Sequence, residues 1–118
     1  MANYLNKARV AILTISVQAA TALAQCRAVG ADGNYASAGA HMTGVTFNPA
    51  TAGEQAAVDV LGTVPCEAGA AIAADALLEV GTSGKLITRT TGKVVGRALT
   101  AASGDGAIFN ALLIPANT

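Results

Sequence analysis

The sequence has no tryptophan, one histidine, two phenylalanines and two tyrosines among 118 residues, and only 12% of its residues are charged. So few aromatics argue against a deep ligand pocket, whose walls usually need large flat side chains. Seven lysines plus arginines balance seven acids, with no run of either sign, so the charge pattern offers nothing to nucleic acid. With His41 alone, and no glycine-rich phosphate loop or serine elbow, neither a triad nor a metal cluster can be assembled. No catalytic residue, cofactor or metal is expected. Asp75 with Glu79, and Asp105, lie beside turns, where carboxylates are usually solvated; Ala31-Asp32-Gly33 and Gly104-Asp105-Gly106 carry one acid each, too few for calcium.

Long apolar runs are also scarce. The best, Val10 to Val17, is broken by Thr14 and Ser16 and followed by Gln18, Thr21 and Gln25, which argues against a membrane span. With Lys7 and Arg9 ahead of it and Ala22-Leu23-Ala24 behind, it imitates a secretory signal. That supports one alternative, an exported surface-associated β-domain of adhesin-like or pilin-like kind. The competing reading is a strand, with Ala11, Leu13, Ile15 and Val17 on one face and Thr14, Ser16 and Gln18 on the other.

What is abundant is small and aliphatic: 53% of residues are hydrophobic, carried largely by alanine, valine, leucine and isoleucine. A chain of this length forms one domain that buries about two thirds of its unfolded surface. Residues 71–115 read as a four-strand unit. Leu77 to Val80 and Lys85 to Thr88 flank the loop Gly81-Thr82-Ser83-Gly84, whose glycines can take positive φ, and Val94 to Leu99 and Ala107 to Ile114 flank a turn at Ser103 to Gly106. Pro115 ends the last strand. A weaker copy lies upstream: Val29 to Asn34 aligns with Val80 to Lys85, Gly44 to Phe47 with Gly96 to Leu99, and Val58 to Leu61 with Asn110 to Leu113.

The expected fold is therefore all-β, a small barrel or sandwich of two tandem four-strand copies plus an N-terminal strand or arm. One domain covers residues 1–118: an arm at 1–9, the first copy with its leading strand at 10–62, a connector at 63–70 and the second copy at 71–115. Gly30, Gly33, Gly81, Gly84, Gly104 and Gly106 are its turn glycines. Cys26 aligns with Leu77, an apolar position, and reads as a small buried hydrophobe, whereas Cys66 falls in the connector. Reduced thiols, an intrachain Cys26–Cys66 bond and an intermolecular bond all stay open.

The last strand is apolar on both faces, Phe109, Ala111 and Leu113 on one, Ile108, Leu112 and Ile114 on the other. Without helices to cover the second face, another subunit must do so, making Ile108, Leu112 and Ile114 oligomer-interface candidates.

The runs Ala70 to Lys85, Lys93 to Leu99 and Ala107 to Pro115 together resemble the capsid cement, or head decoration, proteins of tailed phages. Asp75 departs from that family's pattern, in which glycine is frequent there, and so do the cysteines. The resemblance implies a β-rich homotrimer without enzymatic activity. Its partner would be the major capsid protein, with no nucleic acid or membrane involved, and its place the outer capsid surface of the virion after synthesis in the host cytoplasm. Tyr4, Leu5, Lys7 and Arg9 on the arm are then the candidate capsid contacts, two apolar groups and two cations in a segment with no period of its own.

Overall fold

A computed structural model describes residues 9–114. Eight strands follow in order: β1 Val10–Gln18, β2 Ala28–Val29, β3 Gly44–Thr46, β4 Gln55–Glu67, β5 Leu77–Val80, β6 Leu86–Thr88, β7 Gly96–Ala98 and β8 Ile108–Leu113. They form one antiparallel sheet in the order β2-β3-β4-β8-β7-β5-β6, with β1 joined to β4. The sheet nearly closes on itself as a barrel. Just past β4, Ala68 bridges Leu86 of β6, and the Gly69 amide donates to the Leu86 carbonyl, so the far end of the sheet returns to its centre. The apolar run read either as a signal segment or as a strand is β1, paired to β4 from Val10 to Gln18 except at Ile12, where the register slips.

The two copies share one pairing plan. A bridge joins Leu23 to Ala50 in the first half and Ile72 to Ala102 in the second. The amides of Cys26 and Asp75 then donate to the carbonyls of Thr46 and Ala98, and Gly53 and Gly106 donate to Ala19 and Ala68. In each half the third strand pairs with the first and the fourth with the third: β2-β3-β4 and β5-β7-β8. The second strand of the first copy shrinks to a single bridge, Val29 to Tyr35, matching Val80 to Leu86. This pairing sets Cys26 on Asp75 rather than on Leu77: both take a left-handed backbone, φ 64° and 70°, just before the first strand of their copy. Sequence alignment missed it because β5 is two residues longer than β2.

Residues 63–70, expected as a connector, instead contain the second half of β4. Gly62 and Pro65 gave the segment a turn-like composition. Gly62, at φ 123°, lies where β1 and β4 slip register; a Cβ there would stand 2.3 Å from the Val10 carbonyl oxygen, so only glycine lets the strands approach. Pro65 lies beyond the last β1 partner, Thr63, where only β8 pairs with β4.

One core cluster fills the barrel around Phe109, Leu78, Leu86 and Leu113, all fully buried, with Cys66 among them. A second, built from Val17, Leu23, Val29, Val58 and Val60, lies under β1 and the first half of β4. Small side chains suit both, since alternate positions of short strands must fill a narrow interior without voids.

In the β5–β6 loop the left-handed residues are Ser83, φ 55°, and Gly84, φ 75°. Gly81, expected to share that role, has φ −104° and needs no glycine for its backbone; its constraint is crowding, since a Cβ would stand 3.0 Å from Ile87 Cγ2. At Gly84 a Cβ would stand 2.6 Å from the Ala28 carbonyl oxygen in addition to the φ penalty. Gly84→Val is therefore expected to cost about 2 kcal/mol or more, Gly81→Val less, and Gly104→Ala, which meets open space, close to nothing. Thermal melts of the three variants check the order, at about 4 °C per kcal/mol for a domain of this size.

Candidate docking surfaces

Of the expected capsid contacts, Tyr4, Leu5 and Lys7 lie outside the described residues. Arg9 is described, and the structure ties it to its own domain. Its Nε donates to Asp59 Oδ2 at 2.7 Å and its Nη2 to Asp59 Oδ1 at 2.8 Å, a two-point grip on a carboxylate that is almost wholly buried. Thr14 Oγ1 donates to the same carboxylate at 2.7 Å, and the guanidinium lies 3.9 Å from the centre of the Phe47 ring. Sequence reasoning missed this constellation because Arg9 and Asp59 are fifty residues apart and meet only when β1 pairs with β4.

Arg9 thus anchors a strand that does little burying. In β1 only Val17 is buried; Val10, Ile12, Leu13 and Ile15 are exposed, Ile12 by 74%. Ile12 has no register partner, because the ladder passes from Ala11 with Gly62 to Leu13 with Leu61. Among the described residues no strand pairs with the other edge of β1. An apolar, unpaired edge is a surface that proteins normally cover.

A second uncovered surface is the outward face of β8. Phe109, Ala111 and Leu113 point into the core, while Ile108 and Leu112 are about two-fifths exposed and Ile114 is half-buried. Cross-strand register extends the face: Val10 pairs with Thr63, Thr63 with Leu112, Leu112 with Arg97, and Arg97 with Leu77, all exposed or half-buried. The strand is two-sided and apolar as read from the sequence, and its second face is open among the described residues.

Several other polar groups serve the fold. Glu79 is buried and accepts from the Thr90 amide and from Thr90 Oγ1, and these bonds hold its carboxyl below the ordinary range while fixing the loop at residues 89–92. Glu67 accepts from Arg27 Nε at 2.9 Å, and Lys85 bridges it to Asp105. His41 is exposed on the loop before β3. Among the described residues no three His, Cys, Asp or Glu side chains are grouped to hold a metal ion. Both cysteines are free and buried. Cys66 is a core residue of β4, not a linker thiol; burial pushes both thiols up, Cys66 well above its ordinary value.

Two outcomes follow. Arg9→Ala leaves the Asp59 carboxylate buried with the Thr14 hydroxyl as its hydrogen-bond donor, and is expected to cost about 1–3 kcal/mol, less than a fully buried pair because the arginine is partly solvated; chemical denaturation measures it. A buried thiol with a raised pKa contributes stability that is complete below the unfolded value, about 8.5, and is lost as pH rises past it toward the folded value. The unfolding free energy should therefore fall more steeply above about pH 8.5 in the wild type than in Cys66→Ala, and denaturant titrations across that range compare the slopes.

No curated protein matches the chain. Among solved structures it is similar to the gp8.5 N base of the head fiber in bacteriophage phi29, at a TM-score of 0.73 and 16% identity, over 90% of this chain and 97% of that one. At that identity the likeness is one of fold. Residues 8–114 match the phage cement protein family. That span takes in β1, the closing bridge at Ala68 and both uncovered faces, and the chain belongs to the phage cement protein family, structural proteins of the phage capsid.

Proposed function

We propose that the protein binds the outer surface of a phage capsid as a homotrimer and cements neighbouring major capsid subunits against the pressure of the packaged genome. The observation that carries the docking part is β1: an anchored strand with four exposed aliphatic side chains and, among the described residues, an unpaired edge, following Tyr4, Leu5 and Lys7 in the sequence. A strand edge held rigid by the Arg9–Asp59 grip is pre-organised to accept or extend a strand of a shell subunit, which supplies main-chain hydrogen bonds without demanding particular side chains. Each aliphatic side chain fully removed from water there contributes about 1.5–3 kcal/mol before ordering costs. Modest affinity at one site suffices, because many copies clamp one shell together.

The alternative of an exported β-domain loses its support at the same strand. Cleavage near Gln25 would remove β1, which pairs with β4, and Leu23, which is buried in the second core cluster.

The test is occupancy on particles that lack the protein. Ile12→Lys with Ile15→Lys, and separately a deletion of Ala2 to Asn6, should each lower bound protein about tenfold or more at a fixed concentration and lower the temperature at which full particles rupture. Unchanged occupancy in both variants would overturn the docking surface, and wild-type protein that never binds a shell would overturn the function.

A further inference from the structure

We infer that the outward face of β8 seats a second copy of this chain, and that Arg97 of one copy pairs there with Asp75 of the next. This deepens the self-assembly part of the proposed function and rests on it. The face is the row already traced: Leu112 on β8, Thr63 beside it on β4, and Arg97 and Leu77 beyond it on β7 and β5. Ile108, Leu112, Leu77 and Leu99 are each about two-fifths exposed. Among them stands one exposed cation.

Among the described residues, six of the seven acids are engaged within the chain. Asp32 accepts from Asn34, Glu54 from the Thr51 amide and Glu79 from Thr90. Asp59 holds Arg9, Glu67 holds Arg27, and Asp105 holds Lys85. Asp75 is the remaining acid, exposed and without a partner. Of the cations, Arg89 donates to the Gly92 carbonyl, and only Lys93 and Arg97 have no partner among the described residues. Ten of the thirteen described charged side chains are engaged within the chain; Asp75, Lys93 and Arg97 are left open, and of these Arg97 stands on the apolar face, with Asp75 two residues before Leu77 of that face.

Their positions fit a contact between copies. The Asp75 amide donates to the Ala98 carbonyl at 2.8 Å, which fixes its turn at the end of β7, next to Arg97. Asp75 also keeps a left-handed backbone, φ 70°, a conformation that costs an aspartate more than a glycine. The two side chains form no ion pair within the chain. In a ring of copies joined head to tail, each boundary takes Arg97 from one copy and Asp75 from the next, so the pair recurs at every interface and leaves no net charge buried. A shell subunit on this face would have to supply both complementary charges itself, so the self-contact is the simpler occupant.

The experiment is a charge exchange read by sedimentation over a concentration series, with a thermal melt of each variant to establish that it is folded. Arg97→Glu, and Asp75→Asn, which tolerates the left-handed backbone, should each weaken self-association about tenfold or more. Arg97→Glu combined with Asp75→Lys should return it to within about threefold of wild type. Single variants that assemble like wild type, or a double variant no better than Arg97→Glu alone, would overturn the pair. A monomeric wild type whose Arg97→Glu variant loses particle occupancy would assign the face to the shell and overturn the inference. Wild type that assembles with the predicted charge dependence but never binds particles would support this interface while removing the capsid role.

Discussion

The structure depends on the ladders along β4. Thirteen residues of one strand pair with β1 from Gln55 to Thr63, with β3 at Val58 and Asp59, and with β8 from Gly62 to Glu67. Each copy contributes its fourth strand to the β4–β8 ladder, so the two copies share one sheet rather than meeting across a linker. A strand paired on both edges must carry small residues wherever neighbouring backbones crowd it. Gly62 at the β1 slip and Gly44 on β3, where a Cβ would stand 2.3 Å from the Asp59 carbonyl oxygen, are the positions that pay for this closeness.

Closing a sheet of short strands has a consequence outside the barrel. Alternation sends Phe109, Ala111 and Leu113 inward, and the interior is full; the residues between them have nowhere to go but out. In a monomeric protein those positions would be polar. Here Ile108, Leu112 and the β1 aliphatics are exposed, while ten of the thirteen described charged side chains are engaged by ion pairs or hydrogen bonds within the chain. Those engaged charges hold strands and loops, and the outer faces are left apolar, the character of surfaces that contact other chains. For a structural protein of a capsid, this division suits a molecule whose working state is an assembly.

The Arg9–Asp59 grip joins these two levels. It supplies the only side-chain ion pair between β1 and the rest of the described chain, on a strand that buries a single side chain of its own. Backbone hydrogen bonds set the register of β1, and the ion pair fixes its start. A strand kept in place by polar contacts at one end and a ladder along one edge can leave its apolar side chains and second edge free for a partner.

The sequence by itself determined the all-β class, the strand-like alternation from Ala11 to Gln18, the two hairpin-like pairs of the second copy and the two-sided character of β8. All of these are local: alternation over a few residues, or glycines at turns, encodes them. It also carried the family resemblance in its last fifty residues. Only the tertiary structure decided that residues 63–67 extend a strand, that Cys66 lies in the core, that Cys26 corresponds to Asp75, and that Gly81 is crowded rather than left-handed. Each of these turns on which segments become neighbours. Pro65 and Gly62 look like a loop until β8 and β1 are placed beside them, and Arg9 looks like a free arm cation until β1 lies along β4. Local pattern fixes what a segment can become, and pairing between segments far apart in the chain decides which side chains are left facing out.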